Sequence, residues 1–217
     1  MKFAAISNGK RGFTKGELWI VMAVVGVLVA LLLPTLAKSR ARSSRISCVC
    51  CLKQIGLALR MWSNECGEKF PWQVTTNRNG SAEWLGPNDT FRHFLVVSNE
   101  LTTPKVLVCP SDRSRTRSSR WEGFTSNRHL SYFIGLDADE TRPQTILSGD
   151  RSISTNGQFL TGLVRLKTNS PVQWADGIHG AGGNVAHGDG SAQQLIRSGL
   201  ARQLMADTNE SIRLLIP

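Results

Sequence analysis

Acidic residues are scarce in this sequence, and none occurs before Glu17. The chain of 217 residues has 16 acidic and 26 basic side chains, which gives a formal net charge of +10 at pH 7. That charge suits anionic lipid, nucleic acid or an acidic protein as a partner, and it does not choose among them. The arginine-rich loop at residues 113–120 has only Trp121 beside it for base stacking. We therefore interpret this loop as solvated surface and do not expect nucleic acid as a partner.

Charge is absent altogether from residues 18–33, and a basic segment with Lys2, Lys10 and Arg11 precedes them. A run without polar interruption favours hydrocarbon on every side rather than one apolar face. Extended to Ala37, it reaches the roughly 20 residues that cross a bilayer. Two simpler interpretations stay open: an uncleaved signal anchor, and a secretory signal peptide cut after the small-x-small sequence at residues 35–37.

A complete metal-binding cysteine motif is also lacking. The five cysteines are Cys48, Cys50, Cys51, Cys66 and Cys109. An odd number leaves at least one free thiol or an intermolecular bond. No second cysteine pair and no nearby histidine pair completes a zinc motif around residues 48–51, so the sequence predicts no metal site there.

The apolar run is followed by a helical pattern over residues 38–64. Apolar residues recur at steps of three and four, at Ile46, Val49, Leu52, Ile55, Leu59 and Trp62. Gly67 is expected to end this helix. The pattern predicts that the helix continues out of the membrane and packs one face on a globular domain. Cys48 would then approach Cys109, which follows a strand predicted at residues 106–108. These two form the candidate disulfide, and Cys66, near the end of the helix, is the main competitor for Cys109.

The residues around Gly12 resemble the processing signal of type IV prepilins and type II secretion pseudopilins. Gly12, Phe13, Thr14, Glu17 and Pro34 match that pattern, whereas residues 15 and 16 are usually aliphatic in the family. The resemblance implies cleavage after Gly12 by a prepilin peptidase that also N-methylates Phe13. It further implies that Glu17 pairs with the amino terminus of a neighbouring subunit, and that Pro34 kinks the helix.

The second half of the chain predicts short β-strands separated by turns, at residues 131–136, 145–148, 163–166 and 172–174. Residues 179–195 predict a hairpin with an Asp-Gly turn. His179 and Asp189-Gly190 resemble the H-x9-DG signature that accompanies prepilin-type leaders in a large bacterial family. A short amphipathic helix and an apolar tail follow from residue 198.

Two further clusters in this half have the residue types of a binding site. His179, His187 and Asp189 have ligand chemistry, but no nucleophile motif is near, and hydrogen bonds from His179 to the turn at Asp189 are the favoured interpretation. Asp137, Asp139 and Glu140 are the only calcium candidates, and a capped turn is favoured for them too. We therefore predict no catalysis and no cofactor other than calcium.

Together these patterns and the family resemblance predict an α+β, pilin-like protein with four parts. They are a leader at residues 1–12, a membrane or filament-core helix at 13–37, the outer half of that helix at 38–66, and a head with a small antiparallel sheet at 67–217. The expected function is a structural subunit in the bacterial inner membrane, with its head in the periplasm or cell envelope. It would assemble with other pilin or pseudopilin subunits in a type II secretion or type IV pilus-like filament. The alternative is an anchored or secreted extracytoplasmic protein that binds nucleic acid or glycan and does not polymerise.

Overall fold

The computed structural model describes residues 12, 14–180, 182–206 and 211–217. Contacts divide the chain into two units, Met1–Ser43 and Ser44–Pro217. The first helix, α1 (Lys15–Glu65), contains residues of both units. It ends before Gly67, whose φ of 70° is a left-handed conformation that glycine adopts without strain.

In the first unit, Lys15–Pro34 is long and apolar enough to cross a membrane, as an anchor or as a signal sequence. None of this segment is buried, and its large apolar side chains are all exposed. Pro34 lies within the helix. This arrangement agrees with the predicted apolar span.

The second unit is α+β, as the sequence predicts. After α1 come α2 (Thr90–Val96), then strands β1 to β8, helix α3 (Gly199–Ala206) and strand β9 (Ser211–Ile216). The strands are β1 (Tyr132–Gly135), β2 (Ile146–Asp150), β3 (Ile153–Thr155), β4 (Gln158–Phe159), β5 (Gly162–Lys167), β6 (Val172–Trp174), β7 (Gly182–His187) and β8 (Ala192–Ile196). Several 3-10 turns connect α1 to β1.

The strands form two antiparallel sheets. The larger has the order β5-β9-β1-β2-β7-β8, and the smaller has the order β4-β3-β6. β7 and β8 form the predicted hairpin, with Ala186 opposite Ala192. The tail that the sequence predicts only as apolar is β9, which pairs with β1 on one side and β5 on the other. Successive residues of a strand point to opposite faces of the sheet, so Leu214 packs in one core and Leu215 in the other.

The outer part of α1 contributes to a core with one face of the larger sheet. The buried residues of this helix face are Cys48, Leu52, Ile55, Ala58, Leu59 and Trp62. The predicted apolar face was wrong at its start, because Ile46 is 57% exposed and Cys48 is fully buried. A second core lies on the other side, where Phe133, Leu214 and Trp174 pack with Leu200 and Leu204 of α3.

The strand predicted at residues 106–108 was also wrong. Pro104–Leu107 forms a 3-10 helix, with Thr103 as its N-cap and proline in its first turn. Proline fixes φ and has no N–H, so it favours the start of a helix over a strand ladder. Val108 and Cys109 are nevertheless buried.

Candidate functional site

Four buried side chains from distant parts of the second unit converge on one point. They are Cys48 on α1, Cys109 in a turn, Asp150 at the end of β2, and His179 in the loop before β7. One ligand atom from each lies within 4.8 Å of all the others. Among the described residues, this cluster of two cysteines, one aspartate and one histidine is the group with the geometry of a metal site.

The strand register places Asp150 in the cluster. Tyr132 of β1 lies directly opposite Asp150 of β2, and both meet the buried face of α1. The thiol of Cys48 donates a hydrogen bond to Asp150 Oδ1 at 3.3 Å. Its sulfur also lies 3.1 Å from the Tyr132 hydroxyl. Because residues 48 and 150 are 102 positions apart, only the packing of α1 on the sheet brings them together.

The turn at residues 109–112 orients Cys109. The backbone N–H of Ser111 donates to Cys109 Sγ at 3.4 Å, and the N–H of Asp112 donates to the carbonyl of Cys109 at 3.0 Å. Arg151 then fixes this turn against β2, because its guanidinium donates to both carboxylate oxygens of Asp112 at 2.9 and 3.1 Å. The ion pair between Arg151 and Asp112 thus links the strand end that holds Asp150 to the turn that holds Cys109.

His179 completes the cluster through one nitrogen. Its Nε2 lies 3.3 Å from Cys109 Sγ and 3.6 Å from Asp150 Oδ2. Arg45 of α1 donates to the backbone carbonyl of His179 at 2.7 Å and so fixes the loop. The predicted hydrogen bonds from the His179 ring to the turn at Asp189 are therefore wrong: the ring faces Cys109 and Asp150 instead.

Burial and mutual contact shift the pKa values of these groups. Burial removes water from the carboxylate and raises the pKa of Asp150 to about 7, although the charge of the nearby His179 opposes this shift. Interaction with the neighbouring Cys48 thiol and the hydrogen bond with His179 lower the pKa of the Cys109 thiol to about 5, although burial opposes the shift. Burial alone would lower the pKa of His179, but its bond to Cys109 and the nearby Asp150 outweigh burial and raise it. Each group therefore depends on its neighbours for its protonation state.

Asp150 also has neutral partners. The backbone N–H and side-chain amide of Asn184 on β7 both donate to Asp150 Oδ2, at 2.8 and 2.9 Å. These bonds fix the orientation of the carboxylate from the neighbouring strand of the same sheet. The chemistry open to the cluster is coordination, a disulfide between its sulfurs, or a hydrogen-bonded thiol network.

The H-x9-DG residues occupy two separate places. His179 belongs to the cluster, whereas Asp189 and Gly190 form the β7–β8 turn, which packs on α1. Arg60 of α1 donates to the carbonyl of Asp189 at 2.8 Å. Gly190 has a φ of 79°, and its backbone approaches Gly56 so closely that a Cβ on Gly56 would lie 3.2 Å from the Gly190 Cα.

His187 does not join His179. Its Nε2 lies 2.8 Å from Gln193 Nε2 on β8. The carboxylate of Asp189 accepts from the backbone N–H of Ser191 at 2.8 Å. The three residues that the sequence groups together thus do not form one site.

The acidic turn that holds the calcium candidates is neutralised by arginines. Asp137 accepts from Arg213 at 2.5 and 2.9 Å, and Glu140 accepts from Arg60 at 3.0 Å. Asp139 accepts from Arg142 at 3.2 Å. The three carboxylates therefore face three different cations rather than one shared centre, which favours the capped turn over a calcium site.

Near the N-terminus, Phe13 lies outside the described residues, and Gly12 is exposed and precedes α1. Glu17 Oε2 accepts from the backbone N–H of Thr14 at 2.8 Å, while Thr14 Oγ1 accepts from the N–H of Glu17 at 3.3 Å. This reciprocal pair is a capping box at the start of α1. Glu17 thus has a local partner within its own chain.

Sequence reasoning placed Cys48 beside Cys109 but missed Asp150. All five cysteines are free thiols in the structure, Cys50 being exposed and Cys51 half-buried. Asp150 lies beyond the strand predicted at residues 145–148, and only the structure shows that it ends a strand buried along its whole length. Comparisons with protein-family models, curated proteins and solved structures gave no match for this chain.

Proposed function

We propose that this protein is a membrane-anchored, pilin-like structural subunit. A prepilin-type peptidase would cut after Gly12 and methylate Phe13. The apolar helix would then hold the subunit in the bacterial inner membrane or in the core of a filament. The second unit would be its extracytoplasmic head. The partners would be other pilin-like subunits.

The observation that carries this proposal is the outward-facing apolar helix directly after a Gly-Phe pair. Every described side chain of Lys15–Pro34 is exposed, so none of the residues that the structure describes covers that apolar surface. Lipid or the helices of other subunits would satisfy it. Without such a cover, the segment would be an unusually large exposed apolar patch.

Glu17 is the residue that separates a filament subunit from a simple anchor. A carboxylate beside an apolar span is costly unless it has a partner or a function. In a filament it would pair with the free amine of Phe13 on a neighbouring subunit. Its capping box gives it a second role, which is to start α1.

The first experiment identifies the N-terminus. The full chain, expressed in a bacterium that has a prepilin peptidase, is isolated from the envelope and sequenced by mass spectrometry. N-methylated Phe13 supports the proposal. An N-terminus at Lys38 would indicate a cleaved signal peptide, an N-terminus at Met1 a plain anchor, and either result would overturn the proposal. Gly12→Leu should abolish cleavage, because the peptidase must accommodate the residue before the cut.

The second experiment separates the two roles of Glu17. Glu17→Gln keeps a side-chain acceptor for the capping box but removes the charge, whereas Glu17→Ala removes both. We expect both variants to be cleaved normally and both to be missing from sheared filaments. If Glu17→Gln assembles normally and only Glu17→Ala fails, Glu17 acts in helix capping and the proposed charge pairing is wrong.

A further inference from the structure

We propose that Cys48, Cys109, Asp150 and His179 bind one zinc ion. Cysteine sulfur, imidazole nitrogen and carboxylate oxygen are all ligand types of zinc, which takes four ligands in a tetrahedron. The site would be structural, because all four positions are filled by protein. This inference stands independently of the proposed pilin-like function.

The distances fit a tetrahedron around a zinc ion. Zinc bond lengths place ligands about 3.4 Å apart for nitrogen and oxygen, and about 3.6 Å apart for sulfur with either. In the structure, His179 Nε2 is 3.6 Å from Asp150 Oδ2, and Cys109 Sγ is 3.3 Å from His179 Nε2. Cys48 Sγ is 3.3 Å from Asp150 Oδ1. All four ligand atoms lie within 4.8 Å of one another, so the longest of the remaining pairs would close by at most about 1 Å on binding the ion.

A catalytic Cys-His-Asp relay does not fit this geometry. In such a relay the thiol and the carboxylate bind opposite nitrogens of the imidazole, so that one orients the ring while the other exchanges a proton. Here Cys109 and Asp150 both face Nε2 of His179. The Cys109 residue is also only 1% exposed, which leaves a substrate no access.

A disulfide between Cys48 and Cys109 would use only two of the four groups. It would leave Asp150, which is fully buried, with His179 as its one described ion-pair partner. A buried carboxylate without a well-placed cation is costly. Zinc supplies that cation and uses the convergence of all four ligand atoms.

The surroundings match the outer shell of a structural zinc site. The N–H of Ser111 points at Cys109 Sγ, and Asn184 donates twice to Asp150. Such partners orient ligands and tune metal affinity. On binding, zinc would displace the protons of both thiols and take the place of the present thiol hydrogen bonds.

Zinc would join α1 to the rest of the second unit. Cys48 is the ligand from the helix, and the other three come from the turn, β2 and the loop before β7. The metal would therefore stabilise the packing of the outer part of α1 on the sheet. It would also protect two buried thiols from oxidation.

The test uses the full chain, purified in detergent without reducing agent or chelator. Metal content is measured by elemental mass spectrometry, and free thiols are counted from the intact mass after alkylation. We expect one zinc per chain, with Cys48 and Cys109 alkylated only after denaturation with chelator. Cobalt exchanged into the site should give tetrahedral visible bands and thiolate-to-cobalt charge transfer.

Variants locate the bound ion. Cys109→Ser and His179→Gln should reduce the zinc content to a small fraction of that of the unmodified chain. Asn184→Ala should keep all four ligands and weaken zinc affinity by about 10- to 100-fold. Cys50→Ser is the matched control, because Cys50 is an exposed cysteine on the same helix, and it should leave the zinc content unchanged.

Two results with the unmodified chain would overturn the proposal, whether or not the variants fold. In the first, the chain contains no zinc, its intact mass is lower by two hydrogen atoms, and a peptide crosslinked through Cys48 and Cys109 is found. That result identifies a disulfide. The other is a chain with free thiols that neither contains zinc nor takes up cobalt, which identifies a hydrogen-bonded thiol network.

Discussion

His93 is expected to make the second unit less stable as the pH falls. It lies on α2 and is fully buried. Its Nε2 lies 2.7 Å from the carbonyl of Trp84, which can only accept, so Nε2 carries the proton. Its Nδ1 lies 2.7 Å from the Ser81 hydroxyl and therefore accepts from it. Both bonds are satisfied by the neutral ring.

Burial lowers the pKa of His93 to about 4, although the Trp84 carbonyl and Asp89 partly oppose the shift. In the unfolded chain the pKa returns to 6.5. The unfolded state therefore binds more protons below pH 6.5, and stability falls as the pH falls from 6.5 towards 4. The full shift corresponds to about 3 kcal/mol, of which about 2 kcal/mol is lost between pH 8 and pH 5.

The measurement is denaturant unfolding of the full chain in detergent at pH 8 and pH 5, followed by tryptophan fluorescence. Other groups also titrate, so the quantity compared is the loss of unfolding free energy in each variant. His93→Gln keeps a donor for Trp84 and removes the titrating ring, so its loss should be smaller by about 2 kcal/mol.

Ser81→Ala is the control, since it removes one hydrogen bond but leaves the histidine in place. It should lower stability by about 1 kcal/mol at pH 8 and keep most of the dependence on pH. Equal pH dependence in His93→Gln and the unmodified chain would refute the reasoning, because it would mean that His93 is not held neutral.

Two further predictions concern the packing of α1 on the head. Gly190→Ala should destabilise by about 1 kcal/mol more than Gly157→Ala, because both have a φ of 79° but only Gly190 meets neighbours, with Arg60 Cδ 3.1 Å from the added Cβ. Equal losses in denaturant unfolding would contradict a role for this turn in docking. Leu52→Ala should cost about 2–5 kcal/mol, whereas Leu57→Ala, which is 59% exposed, should cost under about 1 kcal/mol. Similar losses for the two leucines would mean that this helix face is not buried in solution.

Local features of the sequence determined much of the secondary structure. The uncharged residues 18–33 predicted a helix that needs an apolar environment, because no polar group interrupts them. The Asp-Gly pair at residues 189–190 predicted the β7–β8 hairpin, since such pairs favour tight turns. The α+β class followed from the change from helical to strand periodicity along the chain.

Only the tertiary structure decided how those elements combine. The tail at residues 211–216 has no local signal for its position between β1 and β5, because strand neighbours are chosen by packing and register across the sheet. The start of the buried face of α1 moved from Ile46 to Cys48 for the same reason, since the sheet selects which helix residues it covers.

The cluster of two cysteines, one aspartate and one histidine shows this division most clearly. Cys48 and Cys109 drew attention as thiols, but nothing in the sequence near Asp150 or His179 links them to those cysteines. Metal motifs are recognisable when ligands are close in sequence, and here the ligands come from one helix, one turn, one strand end and one loop. Their convergence depends on the pairing of Tyr132 with Asp150 and on the docking of α1 across that pair, which only the folded chain specifies.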